Sequence, residues 1–281
     1  MSIWYIGDLH GKVDILARID EAAKKANVKA IVQVGDFGIH FPLYNKDLNG
    51  RYSLQKHQEC KIFHYFKKRQ RQNRGGPIWY TCGGNHDNWD KWTSLKVHQD
   101  FSTPRTMASP ITAELAPDCY WVPRGGVVTI EGISHAFFGG AESVDRVYRR
   151  EDIDWWRNET PQAQEFDYFV KQINYHKPPV IITHDCPYQI KFDHPKYKER
   201  DAFVTPRNLG NIVEHALEYT PTYWFFGHHH TLQTSVVGKT IFAGCGYHGQ
   251  GQRISNKEVV PLNVLSKKQF ELVNWNKMSY S

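Results

Sequence analysis

The sequence predicts an α/β fold, on three observations. Five short runs rich in Val, Ile, Phe, Trp or Tyr read as buried strands: Ile3 to Ile6, Ala30 to Val34, Ile78 to Cys82, Val180 to Thr183 and Tyr223 to Phe226. Between the first two, Ile15, Leu16, Ile19, Ala22, Ala23 and Ala26 recur at helical spacing within Val13 to Asn27, giving a β-α-β start. Each of the five runs then leads directly into a motif of Asp, His or Asn. These motifs are Gly7-Asp8-Leu9-His10-Gly11, Gly35-Asp36, Gly84-Asn85-His86-Asp87, His184-Asp185 and Gly227-His228-His229-His230. Open α/β sheets bind ligands beyond the carboxyl ends of their strands, so five strand ends can deliver these groups to one place.

The remaining elements follow in order. Ser53 to Asn73 reads as a second helix, stopped by Gly75-Gly76-Pro77. Val127 to Ile130 and Ile133 to Phe138 form a hairpin about Glu131-Gly132. Gln162 to Asn174 reads as a helix ending before Pro178-Pro179, and Arg207 to Tyr219 as another, with Thr205 as its cap and Pro206 at its start. The tail alternates short strand-like runs such as Thr234 to Val237 and Thr240 to Ala243. With 281 residues, 40% of them hydrophobic, and no repeat, low-complexity block or long linker, residues 1–281 read as a single domain with a substantial core. No run approaches the roughly 18 apolar residues of a membrane span. The first strand begins at Ile3, which leaves no room for a removable signal peptide. Cys60, Cys82, Cys119, Cys186 and Cys245 are odd in number and scattered, the pattern of reduced thiols in a cytoplasmic protein.

The motif residues carry one chemistry. Carboxylate and imidazole without thiolate suit Mn²⁺, Fe or Zn²⁺ and argue against a structural zinc built on cysteines. Glycine stands beside these ligands where a chain leaving a strand must turn sharply next to an ion. Asp8 and His10 are two apart, so an extended backbone would direct both to one side; His228 and His230 repeat the spacing, which turns His229 away. Taken singly, each motif has a plainer reading: a Gly-Asp turn, a core histidine, a surface His tract. All five plain readings must hold together to displace a metal site, and the ordered set argues for two metals.

In this order, Asp-x-His, Gly-Asp, Gly-Asn-His-Asp, His and Gly-His-x-His resemble the calcineurin-like metallophosphoesterase superfamily, from Asp8 to His230. The resemblance implies two mixed β-sheets packed as a sandwich and flanked by helices. It implies one metal at Asp8, His10 and His230, a second at Asn85, His184 and His228, and Asp36 bridging them. It also implies two divalent cations, Mn²⁺ the leading candidate with Fe, Zn²⁺ or Ni²⁺ as alternatives, and attack on phosphorus by a hydroxide between them. His86 would protonate the leaving oxygen or stabilise its negative charge, Asp87 would orient His86, and Asp185 would support a ligand.

Three segments between the motifs bear on substrate. Arg51 to Arg74 holds eight Lys or Arg residues against one acid, Glu59, with Tyr52, Phe63, Tyr65 and Phe66 interleaved. It reads as a solvated helix with aromatics packed inward, or as a surface for nucleic acid; a net charge of +6 is too modest to decide. After the strand ending at Phe138, Arg146 could grip a phosphate oxygen or pair with Asp145 or Glu151. Asp185 to Arg207 is a long, proline-containing loop that could border the site. Trp155-Trp156 reads as packing. The serine/threonine phosphatases of the superfamily carry Gly-Asp-x-x-Asp-Arg-Gly, whereas Gly35-Asp36 here continues as Phe37-Gly38-Ile39-His40. That departure moves weight from phosphoproteins to phosphodiesters, nucleotides and other phosphorylated small molecules. His40 is a further candidate at the rim. The alternatives are a phosphomonoesterase, a nuclease using the basic segment, and a non-catalytic scaffold, which the complete ligand set disfavours.

Overall fold

Alternation along the strands decides how the layers stack. In β1 (Ile3–Ile6), Ile3 and Tyr5 enter one apolar cluster while Trp4 and Ile6 enter another. In β11 (Tyr223–Phe226), Tyr223 and Phe225 join the cluster of Tyr5, and Trp224 and Phe226 join a third. A strand whose two faces are both apolar must lie between two layers. The computed structural model of the chain, which describes residues 3–39, 44–46, 52–54, 60–94, 112–193 and 199–263, has that arrangement.

The first sheet contains β1, β2 (Ala30–Gln33), β5 (Ile78–Thr81), β6 (Ala113–Ala116), β7 (Cys119–Trp121), β14 (Gln250–Ser255) and β15 (Glu258–Asn263), in the order β15-β14-β1-β2-β5-β7-β6. Its centre, β1-β2-β5-β7, is parallel, and its outer pairs are antiparallel. The second contains β8 (Gly126–Ile130), β9 (Ile133–Phe138), β10 (Val180–Thr183), β11, β12 (Leu232–Val237) and β13 (Thr240–Cys245), ordered β12-β13-β11-β10-β9-β8, again parallel in the middle. The sheets meet through the cluster of Ile3, Tyr5, Val32, Phe137, Ile182 and Phe225, in which the rings of Tyr5 and Phe225 stack at 3.7 Å. Helices α1 (Val13–Lys25), α2 (Lys61–Arg71) and α3 (Trp89–Ser94) cover the outer face of the first sheet. Helices α4 (Ala163–His176) and α5 (Val204–Asn211) cover the second. The expected sandwich of two mixed sheets between helices is therefore present.

Two elements differ from the sequence reading. Tyr52–Leu54 is not the start of a helix but a strand, β4, paired antiparallel with β3 (Tyr44–Lys46); α2 begins only at Lys61. Helical periodicity reports local order, and pairing with a segment some eight residues away overrides it. The last long helix starts at Val204 rather than Arg207, and Thr205 is buried inside it rather than capping it. Pro206 falls in its first turn, where a missing N–H costs nothing because that donor has no intrahelical partner. Past Asn211 the chain widens to a π-turn over Ile212–Ala216. The basic segment is partly structural. Arg69 of α2 is buried, bonded to Asp20 at 2.6 Å, to Asp118 at 3.0 Å and to the Pro77 carbonyl at 3.1 Å. Trp155 and Trp156 are buried, as expected of packing residues, and all five cysteines are buried free thiols. No described helix is long and apolar enough to cross a membrane.

Candidate metal centre

Asp8 and His10 follow β1, Asp36 follows β2, Asn85 follows β5, His184 follows β10, and His228 and His230 follow β11. Because these strands run parallel within each sheet, their carboxyl ends open on the same side of the sandwich. The seven side chains meet there. The Nε2 atoms of His10 and His230 stand 3.1 Å apart, and His230 Nε2 lies 3.2 Å from Asp8 Oδ2. Asn85 Oδ1 lies 3.0 Å from both His184 Nε2 and His228 Nδ1. Asp36 divides its carboxylate between these halves, with Oδ2 3.7 Å from His10 Nε2 and Oδ1 3.2 Å from His184 Nε2.

The backbone achieves this differently from the extended spacing expected. His10, Asp36, His228 and His230 have φ of 47°, 53°, 62° and 54°, all left-handed. Such conformations are costly for non-glycine residues and persist where surrounding structure holds them. Glycine provides the room: a methyl on Gly84 would strike Asp36, and one on Gly227 would strike Asp8.

Electrostatics make the cluster attractive to cations. Asp8 and Asp36 are buried, with His184 fully buried beside them. Burial pushes the His184 imidazole down, but Asp36 and then Asp8 outweigh it and raise its pKa to about 10. Burial pushes Asp36 up, yet His184 and His86 hold it well below the usual carboxylate range. Two carboxylates in low dielectric thus demand positive charge. Val34 O receives His184 Nδ1–H at 2.9 Å, which directs Nε2 into the site, the arrangement in which an imidazole ligates a metal. The donor set of carboxylate, imidazole and amide oxygen fits two divalent cations: Asp8, His10, Asp36 and His230 converge as one group able to hold an ion, and Asn85, His184 and His228 meet beside it.

A second convergence, Asp185, His228 and His229, lies behind the first. There the Asp185 carboxylate is taken by His229 Nε2 at 2.8 Å, by Arg200 at 3.1 Å and by the Cys186 amide at 2.7 Å. With an arginine already balancing Asp185, this group reads as a support for the His228–His230 turn. His229 accordingly faces Asp185, the orientation its place between His228 and His230 predicts.

His86 is at the site: its backbone N–H donates to Asp36 Oδ1 at 2.7 Å and its ring lies edge-on to His10, centroids 4.9 Å apart. Burial lowers its pKa to about 4, with Asp36 opposing and Arg149 adding to the fall. Two expectations need correction. Asp87 is spent on backbone: Oδ1 accepts from Gly38 and Ile39 at 2.8 and 2.7 Å, and Oδ2 from Phe37 and Gly84 at 3.2 and 2.7 Å. It therefore clamps the loops after β2 and β5 together instead of orienting His86. Arg146 lies exposed with its guanidinium over Trp155, 4.3 Å from the ring centroid. Arg149 is the arginine at the site, its Nη2 2.8 Å from His86 Nε2 and 2.8 Å from Asp145 Oδ2. The two arginines flank a short 3₁₀ turn, Arg146–Tyr148, with Arg149 following its last residue.

Sequence reasoning missed a further pair. Tyr247 stacks on His230 at 4.6 Å, and the buried His248 donates its backbone N–H to Asp8 O at 2.9 Å. The signal was present, because Gly246-Tyr247-His248 also directly follows a strand, β13. His40 and the segment 194–198 of the long loop lie outside the described residues, as do Arg51 and 55–59 of the basic segment.

A sequence model of the calcineurin-like phosphoesterase family matches residues 1–232. No curated protein matches the chain in sequence. Among solved structures, TT1561 of Thermus thermophilus is similar in fold, with 12% identity and a TM-score of 0.54 over 94% of this chain and 98% of that one. A structure described as a novel archaeal phosphodiesterase aligns over 93% of this chain and 99% of its own, with 10% identity and a TM-score of 0.41.

Proposed function

The chain belongs to the calcineurin-like phosphoesterase family, and from that premise we propose that it hydrolyses a phosphodiester or a nucleotide with the help of two divalent cations. Asp8, His10 and His230 would hold one cation, Asn85, His184 and His228 the other, and Asp36 both. The observation that carries this reading is the divided carboxylate of Asp36, one oxygen toward His10 and the other toward His184. Bound there, the cations supply Lewis acidity, acidifying water and neutralising phosphoryl charge.

The chain's own groups do the rest. Asp87 holds the turns of Asp36 and Asn85 in register through four backbone bonds. His86, fixed by its own backbone bond to Asp36, presents an imidazole to the leaving oxygen. Arg149 brings a permanent positive charge to the same place, kept in position by Asp145. We assign it, rather than Arg146, to the phosphoryl oxygens or the leaving group. The absence of Asp-Arg-Gly after Gly35-Asp36 favours a diester or nucleotide over a phosphoprotein. Five buried free thiols support a reducing compartment such as the cytoplasm.

The test is hydrolysis of bis-p-nitrophenyl phosphate against p-nitrophenyl phosphate by protein stripped of metal and reloaded with Mn²⁺. A Mn²⁺-dependent rate favouring the diester and lost in Asp36→Asn upholds the reading. Preference for the monoester makes the protein a phosphatase, and no turnover with Mn²⁺, Fe²⁺, Ni²⁺ or Zn²⁺ defeats the assignment.

A further inference from the structure

The imidazoles of the site are held in different ways. His184 is fully buried and oriented through its outer nitrogen, Nδ1, bonded to Val34 O at 2.9 Å. His230 has no counterpart of that bond among the described residues. Its polar contacts, 3.1 Å to His10 and 3.2 Å to Asp8, both fall on Nε2, and its side chain is 33% exposed. The torsion that turns an imidazole about its Cβ–Cγ bond is broad, so a ring held at one nitrogen needs something else to fix its plane.

Tyr247 supplies it. The Tyr247 ring lies against His230 face to face, centroids 4.6 Å apart and planes 10° from parallel, the separation at which stacked rings attract. The ring of His10 meets His230 edge-on at 5.2 Å. Tyr247 itself stands on a fixed platform, the crossover from β13 in the second sheet to β14 in the first. A single parallel bridge pairs Tyr247 with Asp8. On either side of it, Asp8 N–H donates to Gly246 O at 3.3 Å and His248 N–H donates to Asp8 O at 2.9 Å. Gly246 N–H donates to the carbonyl of Thr231, the residue after His230, at 3.2 Å. One crossover is thus tied to the loop after β1 that carries Asp8 and to the loop after β11 that carries His230.

We propose that Tyr247 is a positioning residue that fixes the plane of the His230 imidazole and so preorganises the first cation site, the one of Asp8, His10 and His230. The proposal rests on the two-cation reading above. A ring already held in its binding orientation spares the ion the cost of ordering it, and a ring released from its stack does not.

The experiment titrates Mn²⁺ into metal-free protein and reads the number of ions per chain and the affinity of each. It compares the wild type, Tyr247→Phe, Tyr247→Leu, and His230→Asp with and without Tyr247→Leu. The wild type should take up two ions. Tyr247→Phe keeps the ring face and should hold both affinities within about 1.5-fold of wild type. Tyr247→Leu fills the space without a ring and should weaken one ion roughly 2- to 10-fold while leaving the other unchanged. His230→Asp keeps a ligand oxygen but has no ring to hold, so adding Tyr247→Leu there should change the affinities by less than about 1.5-fold. Affinities in Tyr247→Leu within about 1.5-fold of wild type would overturn the proposal, as would a loss in Tyr247→Phe equal to that in Tyr247→Leu. An equal loss on Tyr247→Leu in both backgrounds would also overturn it, marking a contact that only supports the crossover. A wild type that binds no ion would defeat the two-cation reading, and the proposal with it, a result distinct from the others.

Discussion

Replacing Arg69 by Met separates the two readings of the basic segment. Arg69 is 4% exposed and bonds Asp20, itself 2% exposed, at 2.6 Å. Removing one partner of a buried pair costs about 3–5 kcal/mol, because the other charge is left in low dielectric. Asp20 keeps two neutral donors, Tyr65 Oη at 2.8 Å and Trp79 Nε1 at 2.9 Å, which places its share near the low end, about 3 kcal/mol. The lost bond to the Pro77 carbonyl adds about 1 kcal/mol. The pair with Asp118, whose side chain is 50% exposed, adds little. The sum is about 4 kcal/mol. Urea unfolding of metal-free protein, followed by tryptophan fluorescence, should show the midpoint falling by roughly 1.3–2 M for a slope of 2–3 kcal/mol/M. Adding Asp20→Asn, which removes the stranded charge, should restore at least half of the loss, and metal content should match wild type throughout. A loss below about 1 kcal/mol in Arg69→Met, or no recovery in the double variant, would refute the buried-clamp account and return Arg69 to the surface patch.

Other substitutions probe the site. Asp36→Asn should lower turnover well beyond the roughly 10- to 100-fold typical of outer-shell partners and release at least one ion per chain, read by kinetics and elemental analysis together. Arg149→Ala should lower kcat on the order of 100-fold while Arg146→Ala stays within a few fold; equal effects would void the assignment of Arg149. His135 gives a pH signature independent of metal. Burial pushes its pKa to about 4, with the Ile133 carbonyl partly opposing. An unfolded histidine titrates near 6.5, so the unfolded state binds the extra proton. Stability is whole above pH 6.5 and is lost as pH falls toward 4, by at most about 3 kcal/mol. Urea midpoints of metal-free protein at pH 7.5 and 4.5 should differ less in His135→Gln than in wild type, and an unchanged difference would exclude His135 as the cause.

Much of this protein was legible before any fold was known. The five apolar runs became β1, β2, β5, β10 and β11 within a residue at their ends, because a strand buried on both faces must be apolar throughout. The convergence of the metal-site candidates was legible because each directly follows a strand, and neighbouring strands run parallel. What the sequence could not show depends on distant contacts. The β3-β4 pairing overrode a helical period. The four backbone amides that occupy Asp87 come mainly from Phe37, Gly38 and Ile39, about fifty residues earlier. Arg149 meets His86 across 63 residues of chain, and the contacts of Ser143 with Glu159 and Asn85 join three segments with no shared motif. Residue type and spacing determine which groups can bind a cation. Only the packing of two sheets decides which atom of each group faces it, since orientation is set by neighbours that the chain brings together on folding.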